Sequence, residues 1–118
     1  MATLTKQAIT NTGLSPTYAA ATNAPGDNFT PDQDTFIVVK NGGGSAITVT
    51  VATPGTAPGG LAIADVSVSV PAAGERWIGP FPAEQYADPA GTPAGNAFVT
   101  YSGITSVTVG CFSAARQP

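Results

Sequence analysis

Acidic and amide side chains crowd one short stretch of this sequence, where they could bind calcium. Asp27, Asn28, Asp32, Gln33 and Asp34 lie within residues 27–34, and calcium takes about six to eight oxygen ligands of these kinds. The spacing departs from the EF-hand loop, which alternates its ligands around a central glycine and ends in a glutamate. The stretch therefore favours a solvated loop with Asx turns, and calcium binding is the alternative.

The other acidic residues could form a hydrolytic pair. Glycosidases place two carboxyl groups across a cleft and raise the pKa of one of them. Asp65, Glu75, Glu84 and Asp88 are the candidates, but none lies in a recognisable catalytic motif. The sequence has no histidine, which excludes Ser-His and Cys-His nucleophile pairs and imidazole metal ligands. We therefore expect no catalytic residue, no cofactor and no metal site, with a small hydrolase as the enzymatic alternative.

Cysteine and glycine offer two further kinds of chemistry. Cys111 is the one cysteine, so it cannot form an internal disulfide. Its apolar surroundings, residues 107–112, predict a buried small side chain rather than a reactive thiol. Gly42, Gly43 and Gly44 lack the following Gly-Lys-Ser/Thr of a phosphate-binding loop, so they predict a turn.

An alternation of period two organises the chain. Residues 47–51 alternate isoleucine or valine with threonine, and residues 66–70 alternate valine with serine. Such a pattern puts apolar side chains on one face of a sheet. Residues 35–40 are apolar at both parities, which predicts a central strand. The predicted strands are 2–9, 15–20, 35–40, 46–53, 63–70, 75–79, 97–102 and 105–112.

Segments rich in Gly and Pro separate these strands. Residues 41–45 and residues 102–103 predict hairpin connections, and residues 71–74 predict a turn. The other connections are one helical turn and two long loops, at 82–86, 22–34 and 53–60.

These elements predict an all-β fold in one domain that spans residues 1–118. A length of 118 residues suits one core. Short strands with Gly and Pro turns are typical of an antiparallel β-sandwich, jelly-roll or immunoglobulin-like, here with about eight strands. Residues 1–12 form an extended N-terminal arm in this interpretation. The predicted core residues are Phe36, Val38, Ile47, Val49, Val51, Val68, Ile78, Val107 and Val109.

The sequence is poor in charge. Charged residues are 9% of the chain, against about 25% in ordinary soluble domains. Four basic and seven acidic residues cannot build the basic stripe that nucleic-acid binding needs. The sequence has no signal peptide and no apolar run long enough to cross a membrane, so we expect synthesis in the cytoplasm and no membrane partner. Interface cores are depleted in charge in the same way, which favours a structural or interaction protein.

The aromatic residues allow a different function. A carbohydrate-binding module exposes two or three aromatic rings on one face, and Trp77 with Tyr86 or Tyr101 could serve. Trp77 lies in an apolar block at residues 77–81, which favours packing in the core or at an interface.

The order of several segments resembles a known group of proteins. Residues 70–74 read Val-Pro-Ala-Ala-Gly and residues 78–82 read Ile-Gly-Pro-Phe-Pro. Together with the strand segments at 36–41, 47–51, 66–70, 98–102 and 106–109, they resemble the small β-sandwich proteins encoded beside the major capsid gene of tailed bacteriophages. Those proteins are capsid decoration (cement) or minor capsid proteins. The resemblance covers residues 35–112.

The resemblance implies a non-enzymatic virion protein on the outer capsid surface, made in the host cytoplasm. Its partners would be the major capsid protein and itself, as a homotrimer that clamps neighbouring capsomers. As a hypothesis we place the capsid contacts on the arm and the long loops, at Ala2, Thr3, Leu4, Thr5, Asp27, Phe29, Pro54 and Pro58. The alternatives are a carbohydrate-binding or host-recognition module on the virion and a neck or tail subunit.

Overall fold

The structure, a computed structural model, describes residues 2–22, 26–54, 56–57, 59–62, 64–89 and 94–114. These residues form short strands and a single-turn helix. In chain order they are β1 Ala2–Thr3, β2 Lys6–Ala8, β3 Ala19–Ala20, β4 Asp27–Phe29, β5 Thr35–Asn41, β6 Ile47–Val51, β7 Thr56–Ala57, β8 Leu61–Ala62, β9 Val66–Val70, β10 Gly74–Ile78, α1 Ala83–Tyr86, β11 Ala97–Tyr101 and β12 Val107–Ser113.

The strands form two main sheets, which confirms the all-β prediction. The first sheet has the order β1-β4-β11-β6-β9, and the second has the order β10-β5-β12-β2 with β3 also paired to β12. Strands β7 and β8 form a small separate pair. Most pairs are antiparallel, whereas β1 with β4 and β2 with β12 are parallel. Strand β5 lies between β10 and β12, as its apolar composition predicts.

Residues from both sheets share one apolar core. Val49 and Val51 of β6 and Val99 of β11 belong to the same buried cluster as Ile37 and Val39 of β5. The alternation of apolar and polar residues along β6 is matched by alternating burial. The valines of β9 and the serines between them follow the same rule, although Val66 and Val68 are only partly buried at the sheet edge.

Most of the predicted core residues are buried, but not all of them lie between the two sheets. Seven of its residues are buried, namely Val38, Ile47, Val49, Val51, Ile78, Val107 and Val109. Val68 and Phe36 are half-buried. Because Ile37 and Val39 enter the core cluster, Phe36 and Val38 of the same strand point to the opposite, outer face. Val38 is therefore buried as predicted, but on the outer face of the sheet, and Phe36 is only half-buried there.

The predicted hairpins are wrong, because their loops cross between sheets. Residues 42–46 lead from β5 in the second sheet to β6 in the first, and residues 102–106 lead from β11 in the first to β12 in the second. Buried Asn41 holds the former crossing: its Nδ2 donates to the Ser45 carbonyl at 2.8 Å and its Oδ1 accepts from Gly43 N at 3.0 Å. A Gly-rich loop permits either geometry, so the choice rests on where the flanking strands find partners.

A strand that the sequence did not predict lies inside the expected loop 22–34. Strand β4 is buried along its length and pairs with β11 and β1. Asp and Asn are rare in strands, but here their polar atoms have partners. Asn28 Oδ1 accepts hydrogen bonds from Thr3 Oγ1 at 2.9 Å and from Asn96 Nδ2 at 2.8 Å.

The N-terminal segment packs against its own chain, which corrects the expectation of an extended arm. Strand β1 lines the edge of the first sheet, and β2 lines the edge of the second. Between them, Leu4 enters the core with 7% of its surface exposed, and its N–H donates to the Asn28 carbonyl at 2.7 Å. The segment therefore joins both sheets on one side of the molecule.

Candidate functional site

Four aromatic rings form a continuous row on the outer face of the second sheet. The Trp77 and Phe36 rings stack with centroids 5.6 Å apart and an interplanar angle of 11°. Phe36 and Phe112 follow at 5.8 Å, and Phe112 and Tyr18 at 5.7 Å. We call Tyr18, Phe112, Phe36 and Trp77 the aromatic row.

Strand register places the row. Phe36 of β5 and Phe112 of β12 are direct cross-strand partners, and Trp77 of β10 lies opposite Val38. Since side chains alternate between faces, these residues all point away from the inter-sheet core. Such cross-strand aromatic pairs stabilise a sheet by about 0.2–1 kcal/mol each.

Burial falls steeply from Phe112 to Trp77. Phe112 is buried, Tyr18 and Phe36 are half-buried, and Trp77 is 66% exposed. The Trp77 indole N–H donates to Glu75 Oε2 at 3.0 Å, so its polar atom already has a partner within the strand. The part of Trp77 that faces solvent is therefore mainly its apolar ring. At the other end, Lys40 Nζ lies 4.1 Å from the centre of the Tyr18 ring, in a cation–π contact.

Residues 9–17, which we call the covering segment, run over part of this face. The side-chain amide of Gln7 clasps Thr17: Nε2 donates to the Thr17 carbonyl and Oε1 accepts from the Thr17 N–H, both at 2.8 Å. Gly110 lets the segment approach β12, because a Cβ there would lie 3.1 Å from the Thr17 carbonyl oxygen and 2.8 Å from the Phe112 ring. The segment therefore buries Phe112 but leaves Trp77 uncovered.

Two neighbouring depressions flank the exposed end of the row. One, of about 220 Å³, lies between the covering segment and the row, with Leu14, Pro16 and Phe112 in its lining. The other is a groove of about 460 Å³ whose lining includes Gln33, Asp34 and Pro80. Trp77, Phe36 and Ile9 line both. The indole thus stands between an apolar pocket and a groove that carries two polar side chains.

The structure separates the aromatic residues that the sequence grouped. Tyr86 and Tyr101 are buried, so they cannot join Trp77 on an exposed face, and Trp77 itself lies outside the core. Tyr18, Phe36 and Phe112 are the members of the row that sequence reasoning missed. The apolar residues at both parities of 35–40 were the available signal, since they require a cover on each face of β5.

The predicted capsid-contact residues also separate. Thr3, Thr5 and Pro54 are exposed. Leu4, Asp27 and Phe29 are buried within the chain, so in this fold they cannot contact another protein, and that part of the hypothesis is corrected. Pro58 and the Ala2 side chain lie outside the described residues.

The acidic stretch is divided between the interior and the surface. Asp27 is fully buried, and its carboxylate accepts hydrogen bonds from Thr22 Oγ1, from Thr22 N at 3.2 Å and from the Tyr101 hydroxyl at 2.8 Å. Asp32 and Asp34 are exposed, and Asp32 forms an ion pair with Lys6 at 3.6 Å. Among the described residues no group of three or more metal-binding side chains comes together. The structure therefore does not bring together the carboxylates of residues 27–34 that the calcium alternative requires.

Burial shifts the pKa of two side chains. Desolvation, and then the nearby charge of Asp27 and its hydrogen bond, raise the pKa of Tyr101 well above its usual value. Desolvation raises the pKa of the Cys111 thiol to about 11, against a smaller lowering by the Lys6 charge. Cys111 is a buried free thiol, which confirms the prediction of a small core side chain.

Comparison with protein-family models, with curated proteins and with solved structures finds no match to this chain. Over the described ranges, no helix has the length and apolar character needed to span a membrane.

Proposed function

We propose that this chain is a non-enzymatic structural protein of a tailed-bacteriophage virion. In this proposal it is a β-sandwich, jelly-roll or immunoglobulin-like, that decorates the outer surface of the capsid. It stabilises contacts between capsomers of the major capsid protein, with copies arranged as trimers. The sequence resemblance over residues 35–112 suggests the setting, and the exposed end of the aromatic row supports a docking role.

The exposure of Trp77 carries the proposal. Tryptophan is enriched among the few residues that dominate protein interfaces, and interface cores are poor in charge. Burying the exposed two-thirds of Trp77, at about 25 cal/mol per Å² of apolar surface, gives about 4 kcal/mol, of which the costs of association leave only a part as binding free energy. Because the indole N–H already has a partner in Glu75, docking on the ring does not leave this donor without a hydrogen bond.

A decorating protein stabilises a shell by binding only its assembled form. Binding to one of two states favours that state by mass action. Each copy needs only a modest contact, because each capsomer is held by several copies at once. A small set of anchors such as Trp77 is therefore enough for the proposed role.

Virions that lack this chain provide the test. Cryo-electron microscopy should show density missing from the head exterior, and the heads should resist heat and osmotic shock less well. Adding purified protein should restore both properties. An unchanged head would contradict the proposal, whereas density missing from a ring of six or twelve copies would assign the chain to the neck or tail.

A pair of variants tests the docking face itself. We expect Trp77→Ala to weaken binding to the depleted heads by about 30-fold or more, the effect of losing an interface anchor worth about 2 kcal/mol. Ile104→Ala is the matched control, because Ile104 is another exposed large apolar residue, 40% exposed, in a loop away from the row. Equal affinity of both variants would show that another surface docks.

Carbohydrate binding is the second candidate, and one observation favours it. The exposed Trp77 ring borders a groove that also holds Gln33 and Asp34, and an aromatic platform beside polar side chains is suited to stacking a sugar ring. A glycan array followed by calorimetric titration tests this function. Binding that is lost in both Trp77→Ala and Asp34→Ala would establish it in place of capsid docking.

A further inference from the structure

The first sheet ends in a strand whose outer edge is free. Among the described residues, β9 pairs with β6 alone, in the register Val66 with Val51 through Val70 with Ile47. The outer edge of such a strand presents unpaired backbone N–H and C=O groups. Another strand can add to it through main-chain hydrogen bonds.

Hydrogen bonds within the sheet show which groups face outward. Ser102 N donates to the Thr48 carbonyl at 2.9 Å and Ala52 N donates to the Phe98 carbonyl at 3.0 Å, so the even-numbered residues of β6 bond to β11. Backbone groups alternate in direction along a strand, so the odd-numbered residues of β6 bond to β9. Their partners are Val66, Val68 and Val70. The backbone groups of Ser67 and Ser69 therefore point to the free edge.

Strand β9 itself carries none of the usual barriers to strand addition, and the nearest ones, Asp65 and Pro71, lie at its two ends. Natural edges are blunted by charged side chains, proline, bulges or very short length. Strand β9 has five residues, Val-Ser-Val-Ser-Val, with neither a charge nor a proline. The free edge of the second sheet, β10, carries Glu75 and Arg76 instead. At the open side of β9, Val66 and Val68 are only partly buried.

The sequence of β9 reads the same in both directions, and it fits a second copy of itself. We propose that two copies of this chain pair through β9, antiparallel, about a two-fold axis at Val68. Ser67 then lies opposite Ser69 of the second copy and exchanges two hydrogen bonds with it, as does Ser69 with Ser67. Valine meets valine at every other position. A closed two-fold contact of this kind uses the same patch on both copies.

The alternation of outward-facing backbone groups along β9 matches this register. The outward-facing groups belong to the serines, so the two Ser67–Ser69 pairs are hydrogen-bonded and the central Val68 pair is not. Side chains come closest at non-hydrogen-bonded pairs, which brings the two partly exposed Val68 side chains together. A five-residue contact is smaller than the roughly 800 Å² per partner of a stable interface, so we expect a dimer that forms at micromolar or higher concentration.

The inference is independent of the proposed function. A two-fold contact does not itself build the trimer proposed above, but in a chain that forms both it would link neighbouring trimers. Failure of capsid binding with retention of the dimer, or the reverse, separates the two proposals.

Cysteine cross-linking tests the axis. Val68→Cys places two thiols across a non-hydrogen-bonded pair, where Cβ atoms lie about 4.5–5.5 Å apart, close to disulfide geometry. Ser67→Cys is the matched control. Ser67 is more exposed than Val68, but it lies opposite position 69 of the second copy and not opposite position 67. We expect Val68→Cys to form a disulfide dimer under mild oxidation at least tenfold faster than Ser67→Cys. Equal rates would overturn the register.

Charged substitutions at Ser67 and Ser69 test the pairing without changing a core side chain. Ser67→Lys with Ser69→Lys sets like charges directly opposite each other, as does the corresponding double glutamate variant. Analytical ultracentrifugation of the intact chain over a concentration series should show that the dimerisation affinity of each variant is lower by about tenfold or more. An equimolar mixture of the two should form a heterodimer at least as stable as the wild-type dimer.

Two outcomes overturn the proposal. The control Thr48→Lys with Thr100→Lys adds the same charge to the same face on inner strands, and it should leave the dimer intact. If the control weakens association as much as the edge variant, the effect is general repulsion. If the wild type sediments as a monomer up to millimolar concentration, or as an oligomer that the edge charges leave unchanged, β9 does not pair with itself.

Discussion

Removing one hydroxyl at Tyr101 should lower the stability of the fold by a defined amount. The Tyr101 hydroxyl donates to Asp27 Oδ2 at 2.8 Å, and both residues are buried, Tyr101 with 5% and Asp27 with 0% of its surface exposed. Tyr101→Phe keeps the ring and its packing, so it leaves no large cavity. It withdraws a donor from a carboxylate that water does not reach.

The expected loss is about 2 kcal/mol. Hydrogen bonds to charged groups contribute about 1.5–3 kcal/mol, and a buried acceptor without its donor also bears its desolvation cost. For 118 residues, at about 2.1 cal/mol/K of unfolding entropy per residue, 2 kcal/mol corresponds to a fall in Tm of about 8 °C. The Thr22 contacts to Asp27 keep the loss below that of a fully isolated carboxylate.

Urea unfolding followed by circular dichroism measures this loss. Tyr18→Phe is the matched control: it removes the same atom from a half-buried ring on the aromatic row, and we expect it to change the free energy of unfolding by less than about 0.5 kcal/mol. Equal losses in the two variants, or no loss at Tyr101→Phe, would refute the assignment of Asp27 and Tyr101 as a stabilising buried pair.

Alkaline pH gives the same pair a second readout. The unfolded phenol releases its proton near pH 10.0, whereas the folded Tyr101 holds it because its pKa is raised. The stability that this shift contributes is therefore present below pH 10 and is lost as the pH rises further. The deficit of Tyr101→Phe relative to the wild type should shrink above pH 10. A constant deficit would contradict the raised pKa.

The remaining predictions concern the thiol, one glycine and the indole. Because burial raises the Cys111 pKa from 9.0 to about 11, the free energy of unfolding should fall by about 2–3 kcal/mol as the pH rises from 9 to 11. Chemical denaturation should show that this contribution vanishes in Cys111→Ala, whereas the further loss of stability due to Tyr101 above pH 10 should remain. Gly79 has φ +153°, and a Cβ there would lie 2.6 Å from Phe36 Cβ. Gly79→Ala should therefore lower the free energy of unfolding by about 2 kcal/mol or more, measured by thermal unfolding. Gly44→Ala, with no atom within 4 Å, should be near neutral. Trp77→Ala should cost about 2 kcal/mol, less than the roughly 4 kcal/mol typical of a buried aromatic, and a larger loss would mean that the indole mainly supports the fold.

The sequence predicted the strands with clear periodicity and missed those whose stability comes from distant partners. Alternating residues along β6 and β9, and the apolar run of β5, carry their own signal. Strand β4 does not, because Asp27 and Asn28 are tolerated there only through hydrogen bonds from Tyr101, Thr22, Thr3 and Asn96. Three of these four donors lie more than ten residues away along the chain.

The aromatic row could not be predicted from local sequence patterns, for a similar reason. The apolar residues of 35–40 predict a cover on both faces of the strand, but the sequence does not say which segment supplies the outer cover. Residues 9–17 supply it. Gln7 holds this segment through hydrogen bonds to Thr17, and the absence of a side chain at Gly110 gives it room to approach β12. How far that cover extends decides that Phe112 is buried and Trp77 exposed. The exposure of Trp77 is therefore recognisable only in the folded structure.

The parallel pairing of β2 with β12 sets an order on biosynthesis. Lys6 lies opposite Cys111, so β2 acquires this partner only after the roughly 100 residues between them have been synthesised. Such distant pairings are slow to form. Until they do, Leu4 is withheld from the core and the edge of β12 stays open. The second sheet becomes complete only when β2 meets β12, so the last pairing to form joins the two segments that lie farthest apart in its sequence.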